Sequence, residues 1–166
     1  LFTAQHGLTD TLHRLNTSVM NSAKGEKFIT LFIARYNFKT RELQYVNAGH
    51  NPPLLYSPGS NKLELLASGC VGMGMLDDLP FVNEAVITMD KASKLFCYTD
   101  GLVEVIQDSG IEFGTEKLEK ELTNSLPLED NIQAIIKNQK ILEGSASIFD
   151  DISIIGAQFP GKEGFS

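Results

Sequence analysis

Six short segments between Phe28 and Thr99 carry the composition of β-strands, and most links between them are too short for anything but antiparallel pairing. Phe28–Tyr36 (FITLFIARY) is rich in β-branched and aromatic residues and reads as a strand buried on both faces. Asn37-Phe38-Lys39-Thr40 turns the chain into Glu42–Asn47, where Leu43 and Tyr45 share a face, so these two segments form a hairpin. Leu54–Tyr56 and Lys62–Leu66, joined through Ser57-Pro58-Gly59-Ser60, make a second. A fifth strand alternates from Phe81 to about Asp90. The sixth, Lys94–Thr99, is a compact apolar run that stops at Asp100-Gly101.

Helical periodicity flanks this strand-rich centre. Leu8, Leu12, Leu15 and Val19 recur at helical spacing and predict an amphipathic helix over about residues 5–22. After Asp100, Leu118 and Leu122 mark a short helix, and Ile132, Ile135, Ile136, Gln139 and Leu142 a longer one. Glu129 and Asp130 lie in its first turn, where the dipole favours them, and Gly144 is its expected stop. A last strand is expected over Ile152–Ile155. The class is therefore α+β with antiparallel sheet. Gly69–Leu76 (GCVGMGML) reads as a close-packed turn; no Lys-Ser/Thr follows, so it is not a phosphate-binding loop.

With 166 residues the chain has the size of one domain, expected over 1–159 with a frayed tail at 160–166. The net charge is −7 and no Lys/Arg cluster occurs, which argues against nucleic-acid binding and against an anionic membrane surface. No apolar run approaches the ~20 residues of a membrane span. Cys70 and Cys97 form no Cys-x-x-Cys pair and read as reduced, packed thiols. A cytoplasmic location fits these features.

Asp100 and the pair Asp150-Asp151 fall where loops meet strands, and carboxylates so placed can converge if their strands are neighbours. Carboxylate-only sites suit hard cations such as Mg²⁺ and Mn²⁺. His6, His13 and His50 are too scattered for zinc. His6 and His13, seven apart on the first helix, read as structural or solvent-facing. His50, between Gly49 and Asn51 in an interstrand loop, suits either a site or a loop-backbone hydrogen bond. There is no Gly-x-Ser-x-Gly elbow and no activated cysteine, so no side chain is expected to act as a nucleophile.

Four stretches occur together in order: Phe28-Ile29-Thr30-Leu31, Tyr45-Val46-Asn47-Ala48-Gly49-His50-Asn51-Pro52-Pro53, Tyr98-Thr99-Asp100-Gly101-Leu102-Val103-Glu104 and Asp150-Asp151-Ile152-Ser153-Ile154. From about Thr11 to Phe159 the chain resembles the SpoIIE-like branch of the metal-dependent (type 2C) serine/threonine protein phosphatases. The resemblance implies a sandwich of two antiparallel sheets flanked by helices. It also implies hydrolysis of phosphoserine or phosphothreonine on a regulatory protein by water activated at a pair of Mn²⁺ or Mg²⁺ ions. On matching positions Asp100 and Asp150 are the implied metal ligands, and Gly101 the backbone contact beside the metals. Asp151 stands where other branches carry Asn and is auxiliary; His50 and Asn51 match a loop bordering the site. The implied substrates belong to bacterial partner-switching signalling, such as anti-anti-sigma-factor-like phosphoproteins, and an upstream sensor or receiver domain often accompanies the branch.

The family's other motif, Gly-Asp-Val/Ile followed by Gly-His/Lys-Gly, does not occur in this chain. It carries the Asp that bridges both metals. The match begins within the helix that comes after it, as in the C-terminal major part of a longer domain or in a natural product that lacks the motif. Two ions are expected in the complete domain; this chain alone is expected to bind one at most, weakly, and to be inactive or nearly so. Missing first strands would leave a sheet edge open, which favours a homodimer or pairing with another chain. The alternative is a non-catalytic interaction module that keeps the fold, which the presence of both Asp100 and Asp150 argues against. A purely metal-binding regulatory domain is a third reading.

Overall fold

The computed structural model describes residues 7–23, 26–107, 110–141 and 150–162. In chain order the elements are α1 (Leu8–Ala23), β1 (Leu31–Asn37), β2 (Glu42–Ala48), β3 (Leu54–Ser57), β4 (Lys62–Leu65), β5 (Gly69–Cys70), β6 (Ala85–Thr88), β7 (Ser93–Tyr98), α2 (Asp100–Val103), α3 (Gly114–Leu122), α4 (Leu128–Asn138) and β8 (Ile154–Phe159). They form two compact units, each built on one four-stranded sheet. The architecture is α+β, with two mostly antiparallel sheets and helices.

In the first unit, up to Pro52 and over Leu66–Met89, β2 is the central strand. It pairs antiparallel with β1 from Leu31↔Ala48 to Asn37↔Glu42 and with β6 from Glu42↔Thr88 to Tyr45↔Ala85. The hairpin link is closed by Asn37, whose Oδ1 accepts from Lys39 N at 2.9 Å and Thr40 N at 3.2 Å, an Asx turn. A parallel contact with β5, at Asn47↔Gly69 and Ala48↔Cys70, was not foreseen. Leu8, Leu12 and Val19 of α1 pack with Val46, Ala48, Met73 and Leu79, as the helical periodicity requires. Among them sits Asn16, only 2% exposed. Its Nδ2 donates to Leu76 O (3.0 Å) and Asp77 O (3.1 Å), and its Oδ1 accepts from Gly74 N (2.8 Å). The glycine-rich stretch opens as β5 and is the expected close-packed turn only from Val71 onward. Gly74 has φ +87°, and a Cβ there would lie 2.6 Å from Val19 Cγ1.

Two expectations fail in this unit. The fifth strand, expected from Phe81 to about Asp90, is a strand only over Ala85–Thr88, where it finds β2 to pair with. The segment Phe28–Tyr36 is not a strand buried on both faces. Regular pairing begins at Leu31, and Phe28 and Ile29 are 56% and 53% exposed. β1 is an edge strand, laddered along one side only among the described residues. An apolar run does not distinguish an edge position from a central one.

In the second unit, Pro53–Leu65 and from Asp90 onward, the order is β4-β3-β7-β8, all antiparallel. Leu54, Phe96, Tyr98, Leu102, Val105, Phe113, Leu118, Leu122, Leu128 and Ile135 form its core. The close seat of α4 on β8 depends on Gly156, where a Cβ would be 2.7 Å from Leu128 Cδ2. Lys94, only 5% exposed, donates from Nζ to Asn131 Oδ1 (2.7 Å) and Asn124 O (3.0 Å), which ties the α3–α4 link to β7. Burial lowers its pKa.

The last strand begins at Ile154, two residues later than expected, and runs to Phe159. On the stretch expected to fray, Lys162 donates from its backbone N to Asp90 O at 3.1 Å and pairs through Nζ with Asp90 Oδ1 at 2.8 Å. Leu142 and Gly144 of the longer helix lie outside the described residues. Among the described residues no helix is long and apolar enough to cross a membrane.

Candidate metal centre

Strand β7 is buried from Ser93 to Phe96 and again at Tyr98, so it gives the residues after it a firm anchor. Thr99 keeps an extended backbone (φ −85°, ψ 159°), and the chain then closes one short helical turn, α2, anchored by the fully buried Leu102. Asp100 is therefore the first residue of a helix, not a residue of a simple turn. Its side chain is exposed, and its Oδ1 accepts from Gly101 N at 3.1 Å.

The neighbouring strand brings the second carboxylate. β7 and β8 are in register through Tyr98↔Ile154, and Thr99 N continues the ladder to Ser153 O at 3.1 Å. The preceding residues, Asp150 and Asp151, lie over α2. A Cβ on Gly101 would be 2.7 Å from Asp151 O and 2.9 Å from Asp150 O, closer than any side chain tolerates. Only glycine allows this approach. Asp150 and Asp151 are exposed, and Asp150 Oδ1 accepts from Asp151 N at 2.7 Å.

The structure thus brings the Asp100-Gly101 turn and the Asp150-Asp151 segment into backbone contact. Each carboxylate has about four acceptor positions, and these bonds use one at Asp100 and one at Asp150. Exposed oxygen donors with spare lone pairs are the donor set that hard divalent cations take, and the cradle over Gly101 brings the backbones that carry them together. In that respect the residues fit such an ion, for which they would be only part of a coordination shell: among the described residues no group of three or more His, Cys, Asp or Glu side chains is placed to hold a metal.

His50 and Asn51 lie in the first unit, in the loop after β2. His50 N donates to Asn47 Oδ1 at 2.8 Å, and its ring Nδ1 lies 3.5 Å from Thr30 Oγ1. Asn47 is 4% exposed and also donates to Leu66 O at 3.1 Å, so it shapes this loop from beneath. Sequence reasoning missed Asn47 and Thr99; the signal was a hydrogen-bonding residue three before His50 and one before Asp100. His13 is exposed on α1, while His6 lies outside the described residues. Both cysteines are free, and burial pushes Cys97 up to about 11 and raises Cys70. Neither is an activated thiol.

Two mostly antiparallel sheets with accompanying helices make the fold type 2C phosphatase-like. RsbX, solved in complex with magnesium, superposes with a TM-score of 0.63 at 22% identity, over 93% of this chain and 66% of that one. The model for Stage II sporulation protein E (SpoIIE) matches residues 1–160, and the chain belongs to that family. Among curated relatives, Protein IcfG of Synechocystis sp. (strain ATCC 27184 / PCC 6803 / Kazusa) is 31% identical over 130 residues, 77% of this chain. Phosphoserine phosphatase RsbU of Bacillus subtilis (strain 168) is 29% identical over 103 residues, 61% of this chain. The chain spans only 20% and 30% of the lengths of these two relatives.

Proposed function

We propose that the chain is the greater part of a protein phosphatase domain that hydrolyses phosphoserine or phosphothreonine on a regulatory protein in bacterial signalling. The observation that carries this reading is the Gly101 cradle, which sets the Asp100 turn against the Asp150-Asp151 segment at distances no other residue permits. Membership of the SpoIIE family and similarity to a protein described as a phosphoserine phosphatase support it. Asp100 and Asp150 would hold Mg²⁺ or Mn²⁺, with Asp151 flanking them; magnesium is the ion in the RsbX structure. The chemistry such an ion supplies is Lewis acidity toward water and toward the charge on the transferring phosphoryl group. This chain's residues bind and orient; none is a covalent nucleophile.

With two carboxylate residues the chain by itself holds at most one ion, weakly, and turns over little or no substrate. A reducing, cytoplasmic setting suits its two free thiols. The outer side of β1, unladdered among the described residues, is the edge we assign to pairing with a second copy. His50 and Asn51 are read as bordering the site. The test is Mn²⁺-dependent hydrolysis of a phosphoserine peptide by the longer protein that contains this chain, wild type and Asp100→Asn. The reading expects loss of at least a hundredfold in rate; equal rates would remove Asp100 from the site.

A further inference from the structure

We propose that Thr99 is the positioning residue of the carboxylate pair, and that its hydroxyl sets the relation between the Asp100 turn and the Asp150-Asp151 segment. The inference rests on the metal-site reading and adds a residue to it.

The bonds around Thr99 show why. In an antiparallel ladder, a hydrogen-bonded pair exchanges both N–H···O=C bonds. Thr99 and Ser153 come directly after the pair Tyr98↔Ile154 and make only one of the two, Thr99 N to Ser153 O at 3.1 Å. The other is diverted: Ser153 N donates to Thr99 Oγ1 at 2.8 Å. That diversion frees the Thr99 carbonyl, which instead accepts from Leu102 N at 3.1 Å, a bond that closes the turn of α2. The same hydroxyl donates its proton to Asp151 O at 2.9 Å.

One side chain therefore performs three tasks at the branch point. It ends the strand pairing, lets the main chain turn so that Asp100 projects from a helical start, and ties down the carbonyl of the residue beside Asp150. A hydroxyl has one proton and two lone pairs, enough for both bonds. Valine has the same shape and neither capacity. Without the hydroxyl, Ser153 N loses its partner, and the Thr99 carbonyl nearest to it is already held by Leu102 N, so the amide is left weakly bonded and the link between the Asp100 turn and the 150–151 segment loosens.

The test is a Mn²⁺ titration of this chain followed by paramagnetic broadening of the backbone amide signals of Gly101, Asp151 and Ser153. Wild type, Thr99→Val and Thr99→Ser are compared, together with amide exchange of Ser153 without metal. Loss of a partner behind a metal ligand typically weakens metal binding by about tenfold or more. The inference expects a midpoint raised about tenfold in Thr99→Val, with faster exchange at Ser153. Thr99→Ser, which keeps the hydroxyl, should match wild type in both. An unchanged Thr99→Val midpoint with normal broadening in wild type would overturn this inference alone. A tenfold loss in Thr99→Ser would also overturn it, and that arm decides even if the valine variant does not fold. Absence of Mn²⁺-dependent broadening in wild type would overturn the metal-site reading and this inference with it.

Discussion

Gly101→Ala is a substitution for which local propensity and tertiary geometry predict opposite signs. Glycine inside a helix costs about 1 kcal/mol relative to alanine, so propensity alone favours the change. The added methyl, however, would meet Asp151 O at 2.7 Å and Asp150 O at 2.9 Å. Carbon-to-oxygen contacts close to no nearer than about 3.3 Å, so the 150–151 segment must retreat by roughly 0.6 Å or α2 must tilt. Both obstacles are backbone, and Gly101 is buried, so no flexible side chain can give way. Overpacking of this kind costs about 1–3 kcal/mol, which outweighs the propensity gain and leaves a net loss of about 0–2 kcal/mol. The displacement falls on the segment carrying Asp150, so Mn²⁺ affinity should drop about tenfold as well. Urea unfolding followed by circular dichroism, paired with the Mn²⁺ titration, measures both. A Gly101→Ala chain that is more stable than wild type and binds Mn²⁺ unchanged would refute the cradle.

Asn16→Ala should destabilise the chain by about 2–3 kcal/mol in urea unfolding, because it strips three hydrogen bonds and leaves the Gly74 amide unpaired in the core. Cys97 should react slowly with a thiol reagent at neutral pH and speed up toward pH 11, since burial holds its thiol up to about 11 from an ordinary 9.0. A folded-state pKa raised in this way contributes stability that is present below about pH 9 and lost as the pH rises toward 11. Cys97→Ser should therefore lose less stability than wild type across that window; identical pH profiles would contradict the shift.

Much of the fold was legible because it derives from local pattern. The Leu8, Leu12, Val19 spacing marked α1, and the short links marked the two hairpins. What was hidden depends on partners far away in sequence. Phe28 and Ile29 look like core by composition, yet they precede an edge strand, and composition carries no information about which side of a strand finds a neighbour. The β5 contact with β2 is only two residues long, and it relies on Gly69, where a Cβ would fall 1.7 Å from Asn47 O. The late start of β8 reflects the Thr99 hydroxyl taking the Ser153 amide out of the ladder. Asp100 and Asp150 could be singled out from the sequence as carboxylates at element ends. That their segments meet rests on Gly101 and Thr99, whose roles appear only once β7 and β8 are side by side.

The central claim is that Asp100 and Asp150 together hold a divalent cation. Calorimetric titration of the chain with Mn²⁺, as wild type, Asp100→Asn and Asp150→Asn, tests it most directly. The account predicts one weak site in the wild type that either substitution abolishes. Two tight sites, or one that survives both substitutions, would contradict it.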